Sequence, residues 1–207
     1  MAITLRESKL YICLFFAGLL AACGGSSGGG ETTAKSGYVV GDTGPNGGLI
    51  FYVDSNDDYY FSYLEAAPAP ISIRTGSSTT VLFMWASSAG GAAYSIPGTS
   101  TFLGQGKSNT ATIAESLTED GQAGRAVHRT LEFELGECEW FLPSKDELNR
   151  MYLNLVQTGL ADVPGGFYWS SSQASRTQAW AQSMSLGGAE SSLEKGQANR
   201  VWPVCAF

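Results

Sequence analysis

The segment Leu20-Ala21-Ala22-Cys23 divides this chain into a part that builds a core and a part that cannot. Before it lie a cationic start at Arg6 and Lys9 and an apolar stretch from Leu10 to Leu20, and small residues flank the Ala22–Cys23 bond, the form of a bacterial lipoprotein signal. The apolar stretch is too short to span a bilayer, whose core needs about 20 apolar residues in a helix. The expectation is therefore a signal peptide over residues 1–22, cleavage before Cys23, and acyl chains on its thiol and freed amine. Two or more chains make such attachment stable at ~0.8 kcal/mol per buried methylene. Gly24 follows Cys23 where an aspartate would signal inner-membrane retention, so an outer-membrane lipoprotein is expected, facing either the periplasm or the surface. Residues 23–37 are dominated by Gly, Ser and Thr and read as a tether of roughly 20 Å r.m.s. reach. The fold must come from residues 38–207.

That stretch of roughly 170 residues fits one domain with a sizeable core. Without Arg6, Lys9 and Glu7, the 12 basic and 19 acidic side chains become 10 and 18, a net of −8. An acidic surface argues against nucleic acid, whose binding rests on Lys and Arg neutralising phosphates. Cys13 leaves with the leader and Cys23 takes lipid, so Cys138 and Cys205 remain. In an oxidising compartment they are expected to pair, closing a loop with roughly 4 kcal/mol of stabilisation. The alternative is two separate buried cysteines acting as small apolar residues.

Along the domain, the turn-rich Gly41–Gly48 leads into a strand at Leu49–Val53, with Asp54–Asp58 as a hairpin loop and Tyr59–Leu64 as the return strand. Val81–Trp85 is a further short strand, and residues 87–106 read as a long loop. Helices are expected near Asn109–Leu117, near Ala123–Leu131 and after Pro143. The last begins with the capping box Ser144-Lys145-Asp146-Glu147, carries an apolar stripe of Leu148, Met151, Tyr152 and Leu155, and stops at Gly159. Strands return at Phe167–Ser170, Ala179–Met184 and Arg200–Phe207, with a Gly187-Gly188 turn. Strands, then helices, then strands predict an α+β domain with antiparallel pairing.

Several segments together resemble one bacterial family. They are Gly41-Asp42-Thr43-Gly44-Pro45 before Phe51-Tyr52-Val53-Asp54, Tyr63–Pro68, Gly106–Thr110, Trp140-Phe141-Leu142-Pro143-Ser144-Lys145-Asp146-Glu147-Leu148, Tyr168–Ser171, Ala179–Gln182 and Val201–Val204. The chain resembles the Lcl C-terminal domain family, named for the last domain of a collagen-like adhesin. The resemblance covers most of the mature chain. It implies a single C-type-lectin-like domain, similar also to formylglycine-generating enzymes, and glycan or host-matrix binding. Such proteins commonly end in Val-Arg-Pro-Val-Arg, whereas this chain has Trp202 and Cys205 there, two cations fewer for holding a sulfated glycan.

The candidate chemistries are few. Gly104-Gln105-Gly106-Lys107-Ser108 is similar to the end of a P-loop, but Thr101 stands where the first glycine belongs. The plainer reading makes Ser108 or Asn109 the cap of the next helix. Asp54, Asn56, Asp58 and Glu65 fall at positions 1, 3, 5 and 12 of a calcium loop, with Tyr59 where glycine is needed, so a solvated hairpin loop is preferred over a Ca²⁺ site. His128 alone cannot build a zinc site without both cysteines. Glu132, Glu134, Glu137 and Glu139 alternate as the wet face of an extended segment rather than as a glycosidase pair. No G-x-S-x-G elbow frames a serine. Most of the five tryptophans are expected in the core. The ligand-contact candidates are Tyr94, Phe102 and Trp169.

The expectation is a non-enzymatic, membrane-tethered binding domain for a glycan or protein ligand, without cofactor. The alternatives are a cysteine oxidase using Cys138 and Cys205 and a structural envelope-assembly lipoprotein. The native protein is expected to lack residues 1–22 and to carry acyl mass on Cys23; an unmodified thiol or a retained leader in its intact mass would refute the tether.

Overall fold

Two apolar cores share three dipeptides, and the chain is organised around that sharing. The computed structural model describes residues 37–87, 95–185 and 187–207, which belong to one compact unit. Phe141, Tyr168 and Trp202 pack into one core, while their neighbours Leu142, Trp169 and Val201 pack into the other. Successive residues of extended chain point to opposite faces, so each dipeptide drives one side chain into each core. The first core adds Phe51, Phe61, Leu64, Leu148 and Leu155; the second adds Phe83, Trp85, Ile113, Leu117 and Val127.

The elements are β1 (Leu49–Val53), β2 (Tyr63–Ala66), β3 (Ile73–Thr75), β4 (Ser78–Thr80), β5 (Phe83–Met84), α1 (Gly106–Glu119), α2 (Ala126–Leu131), α3 (Lys145–Met151), β6 (Phe167–Gln173), β7 (Gln178–Ser183), β8 (Glu190–Glu194), β9 (Ala198–Asn199) and β10 (Val204–Ala206). They form antiparallel sheets in the orders β1-β2-β10 and β6-β7-β8, with two small pairs, β3-β4 and β5-β9. The class is mixed, three helices with small antiparallel sheets, compatible with α+β. Phe141 bridges Val204, and Arg200 bridges Tyr168, so the dipeptide segments also touch through their backbones.

The helix after Pro143 forms as its sequence dictates. The Ser144 hydroxyl accepts from the Glu147 amide at 3.2 Å, the Glu147 carboxylate accepts from the Ser144 amide at 2.7 Å, and Leu148, Met151, Tyr152 and Leu155 are buried. The helix then widens into one π-helical turn, Tyr152–Val156, closed by the Gln157 amide donating to the Tyr152 carbonyl at 2.8 Å. Gly188, at φ 53°, leaves room for the Tyr152 ring, which any Cβ there would strike.

Elsewhere the structure differs from expectation. The return strand starts at Tyr63, because Tyr59 and Phe61 stack at 5.2 Å instead of entering the ladder. β8 was not anticipated: Glu-Ser-Ser-Leu-Glu carries one apolar residue and is held by its pairing with β7. The largely exposed pair β3-β4 shows no apolar alternation either. Cys138 and Cys205 form a disulfide with Cα atoms 6.2 Å apart.

Trp169 is fully buried, and its indole N–H donates to the Phe83 carbonyl at 2.8 Å. Trp169→Ala would leave a cavity between the sheets and an unmatched carbonyl. The expected loss is about 4 kcal/mol in urea unfolding; a loss below about 1 kcal/mol would refute the shared-core account.

Candidate functional site

The loop that leads into α1 is irregular yet firmly held. Asn109, the fourth residue of α1, clamps Ser100 by donating to its carbonyl at 2.7 Å and accepting from its amide at 2.8 Å. The Ser172 hydroxyl donates to the same carbonyl at 2.7 Å, the Thr99 hydroxyl accepts from the Gln173 amide at 3.1 Å, and the Asp146 amide donates to Thr101 at 3.0 Å. Glu147 completes the clamp. One carboxylate oxygen accepts from the amides of Gly104 and Gly106 at 2.8 and 3.2 Å, while the other accepts from Ser144. One buried side chain thus occupies the amino ends of two helices, where unmatched N–H groups and the helix dipole favour an anion. A side chain at position 106 would collide with that carboxylate, so glycine is required there.

This corrects the reading of residues 104–108. The amides that a phosphate would need are taken by Glu147, and Lys107 pairs with Glu139 at 2.6 Å. Neither Ser108 nor Asn109 caps α1: the Ser108 hydroxyl donates to Gln105, and Asn109 holds Ser100. The actual cap comes from 41 residues downstream and carries no local signature.

Two surface regions follow from this scaffold. The first is aromatic. Gly104 packs on Tyr59 and Phe61, and beside this contact Tyr60 and Phe102 stand 67% and 70% exposed. Tyr52 meets Tyr59 edge-on at 5.9 Å. The loop 54–58 lies next to Tyr59, with Asp54 accepting from the Tyr59 amide at 2.8 Å and Asn56 donating to Asp58 at 3.4 Å. Phe102 is therefore presented as a surface aromatic, whereas Trp169 is enclosed and cannot contact a ligand; Tyr94 lies outside the described residues. Trp85, Trp140 and Trp202 are also core residues, and Trp180 is half-buried under Lys145 Nζ at 5.0 Å.

The calcium constellation does not assemble. Asp54 turns its oxygens to its own loop amides, and Glu65 faces away from that loop onto the Gly44–Gly48 turn. Among the described residues no three His, Cys, Asp or Glu side chains converge on a point. Strand geometry explains this: β2 sends Glu65 to the sheet face opposite Leu64. His128 accepts from the Arg125 amide at 3.3 Å within α2, and burial lowers its pKa.

The second region is a groove of about 440 Å³ with Phe133, Trp140 and Cys138 in its walls and Lys107, Glu134 and Glu139 at its rim. A depression of about 240 Å³, which includes Asn46, Glu137 and Phe207, shares Cys138 and the Lys107–Glu139 pair. The Lys107 hydrogen bond and charge hold Glu139 below the usual carboxylate range; as an exposed pair it adds little stability. Glu132, Glu134, Glu137 and Glu139 are exposed, but Glu132 ends α2 in helical conformation, so the extended segment expected there does not include it.

Compared with protein-family profiles and with curated proteins, the chain matches none.

Sequence reasoning missed the buried carboxylates Glu147 and Glu65 as long-range elements. Burial pushes Glu147 up to about 7, outweighing its backbone hydrogen bonds to Ser144, Gly106 and Gly104. With its folded pKa above the unfolded one, the folded state binds more protons through that interval. Stability from this group is complete below about pH 4 and is lost as pH rises through 7. Relative to Glu147→Gln, the wild type should lose about 3 kcal/mol between pH 4 and pH 8. Parallel stability profiles of the two proteins would overturn this.

Proposed function

We propose that this chain is a non-enzymatic binding domain, held at the outer membrane by lipid on Cys23, that takes a glycan across the Phe102 and Tyr60 surface. The observation that carries the reading is the pairing of exposed aromatic faces with a rigid scaffold. Phe102 stands on a loop clamped by Asn109, Ser172 and Glu147, so its presentation is fixed before any ligand arrives. Large aromatics left in water on a fixed loop offer apolar area at low ordering cost, and loops on rigid supports commonly carry binding. Asn56 and the carboxylates of Asp57 and Asp58 lie exposed in the adjoining loop and supply hydrogen-bonding groups for hydroxyls. The net acidity of the mature chain disfavours sulfated ligands.

A C-type-lectin-like fold of the Lcl C-terminal type agrees with the three helices and antiparallel sheets. Lipid attachment agrees with the leader and the Gly-rich tether. No helix among the described residues is long and apolar enough to cross a membrane.

The test is a glycan array probed with residues 38–207 and with the Phe102→Ala and Tyr60→Ala variants. Binding to uncharged or cationic glycans is expected, and each variant should lose about 2 kcal/mol, roughly 30-fold in affinity. Absence of any glycan signal, or binding indifferent to both substitutions, would overturn the proposal.

A further inference from the structure

The two sulfurs of the disulfide have unlike surroundings. Cys138 is part-exposed and stands in the walls of both depressions, whereas Cys205 is fully buried. Asn46 Nδ2 donates to Cys205 Sγ at 3.5 Å, and Asn46 Oδ1 accepts from the Glu137 amide at 3.1 Å. Directly across the β2-β10 ladder from Cys205 is Glu65. Residues so paired share one sheet face with Cβ atoms about 5 Å apart.

Glu65 is fully buried, and the Asn46 side chain and the Asn46 and Gly48 amides face its carboxyl group without a hydrogen bond of good geometry. Gly44 and Gly48 close over it: a Cβ at Gly44 would strike the carboxylate, and one at Gly48 would strike the Ala66 carbonyl. A disulfide that served only as a staple would gain nothing from such a neighbour, since a buried carboxyl group whose donors are poorly aligned destabilises a fold.

We propose that Cys138–Cys205 is an exchangeable disulfide through which the domain captures thiol compounds covalently, with Cys138 as the sulfur attacked and Glu65 as the proton donor to Cys205. A thiolate entering the groove forms a bond to Cys138 Sγ. The electron pair of the broken S–S bond leaves on Cys205 Sγ, facing the Asn46 amide, and takes the Glu65 proton. Glu65 is then reprotonated by the proton released when the incoming thiol ionised. The sum is one thiol plus one disulfide giving one mixed disulfide plus the Cys205 thiol, with no other oxidant or reductant and no turnover.

Burial raises the Glu65 pKa, against the opposing pull of the Asn46 side chain and the Gly48 and Asn46 amides, and so favours the protonated form that the step needs. Around Glu65 the residue 43–48 turn brings no titratable side chain, β1 brings Leu49 and Ile50, and β10 brings Cys205. The nearest charged groups toward the groove are Glu137, Glu139 and Lys107. With Glu134 they leave the entrance acidic, which favours cationic thiols.

The test treats the oxidised mature chain, in detergent, with cysteamine or glutathione and follows intact mass and peptide maps. One cysteamine per chain is expected, on Cys138, at least tenfold faster than glutathione at 0.01 M salt and converging with it at 1 M, where screening shortens from about 30 Å to 3 Å. Glu65→Gln should slow exchange at least tenfold. It should also convert a rate that peaks with pH into one that only rises, because the reagent's thiolate fraction alone then governs it. Adducts that need denaturant, adducts shared by both cysteines, or a Glu65→Gln protein exchanging at the wild-type rate would overturn the proposal. If Glu65→Gln fails to fold, the adduct position in the unmutated chain decides.

Discussion

One fully buried carboxyl group holds the middle of this domain together. Glu147 begins as the third helical residue, closing the capping box that Ser144 opens, a local device worth about 1 kcal/mol. Its second oxygen extends that device to the glycines that start α1, so two helices and the loop before them depend on one group. The position of Phe102 follows from this attachment, as does the depth of Gly106 against Phe141. Because the same burial raises its pKa to about 7, the attachment is sensitive to proton concentration where most carboxylates are indifferent.

Glu65 is the counterpart in strand β2. Both lie under glycines whose missing Cβ makes their burial possible. They differ in satisfaction. Glu147 accepts from three amides; Glu65 faces the Asn46 and Gly48 amides without a bond of good geometry and stands by a sulfur that accepts from Asn46. A buried carboxylate with well-aligned donors organises structure, whereas one whose donors are poorly aligned is costly to bury.

Elements with local causes were legible in the sequence. Ser144, Glu147 and the stripe from Leu148 to Leu155 specify a helix without reference to the rest of the chain, and the structure shows it. The hairpin of β1 and β2 was visible in its strand residues, but not the exclusion of Tyr59–Phe61 from the ladder, which depends on Gly104 some 40 positions away. The start of α1 was placed three residues late because its cap is distant, and β8 has too few apolar residues to show a period. At the sites, pairing of Cys138 with Cys205 followed from elimination, whereas the enclosure of Trp169 did not: Tyr-Trp in extended chain must bury one ring on each side only if both sides are covered.

Strand β10 comes from residues 204–206, yet it pairs with β2 some 140 positions earlier, and the Phe207 carbonyl accepts from the amides of Ser62 and Tyr63 at 2.9 Å. The meander β6-β7-β8 and α3 can form from neighbouring residues; the β1-β2-β10 sheet cannot close until residues 204–207 exist. Contacts of such long sequence separation slow folding. The edge of β2 that receives β10 therefore stays open until residues 204–207 have been made, and Cys138 waits for a partner that lies 67 positions further along the chain.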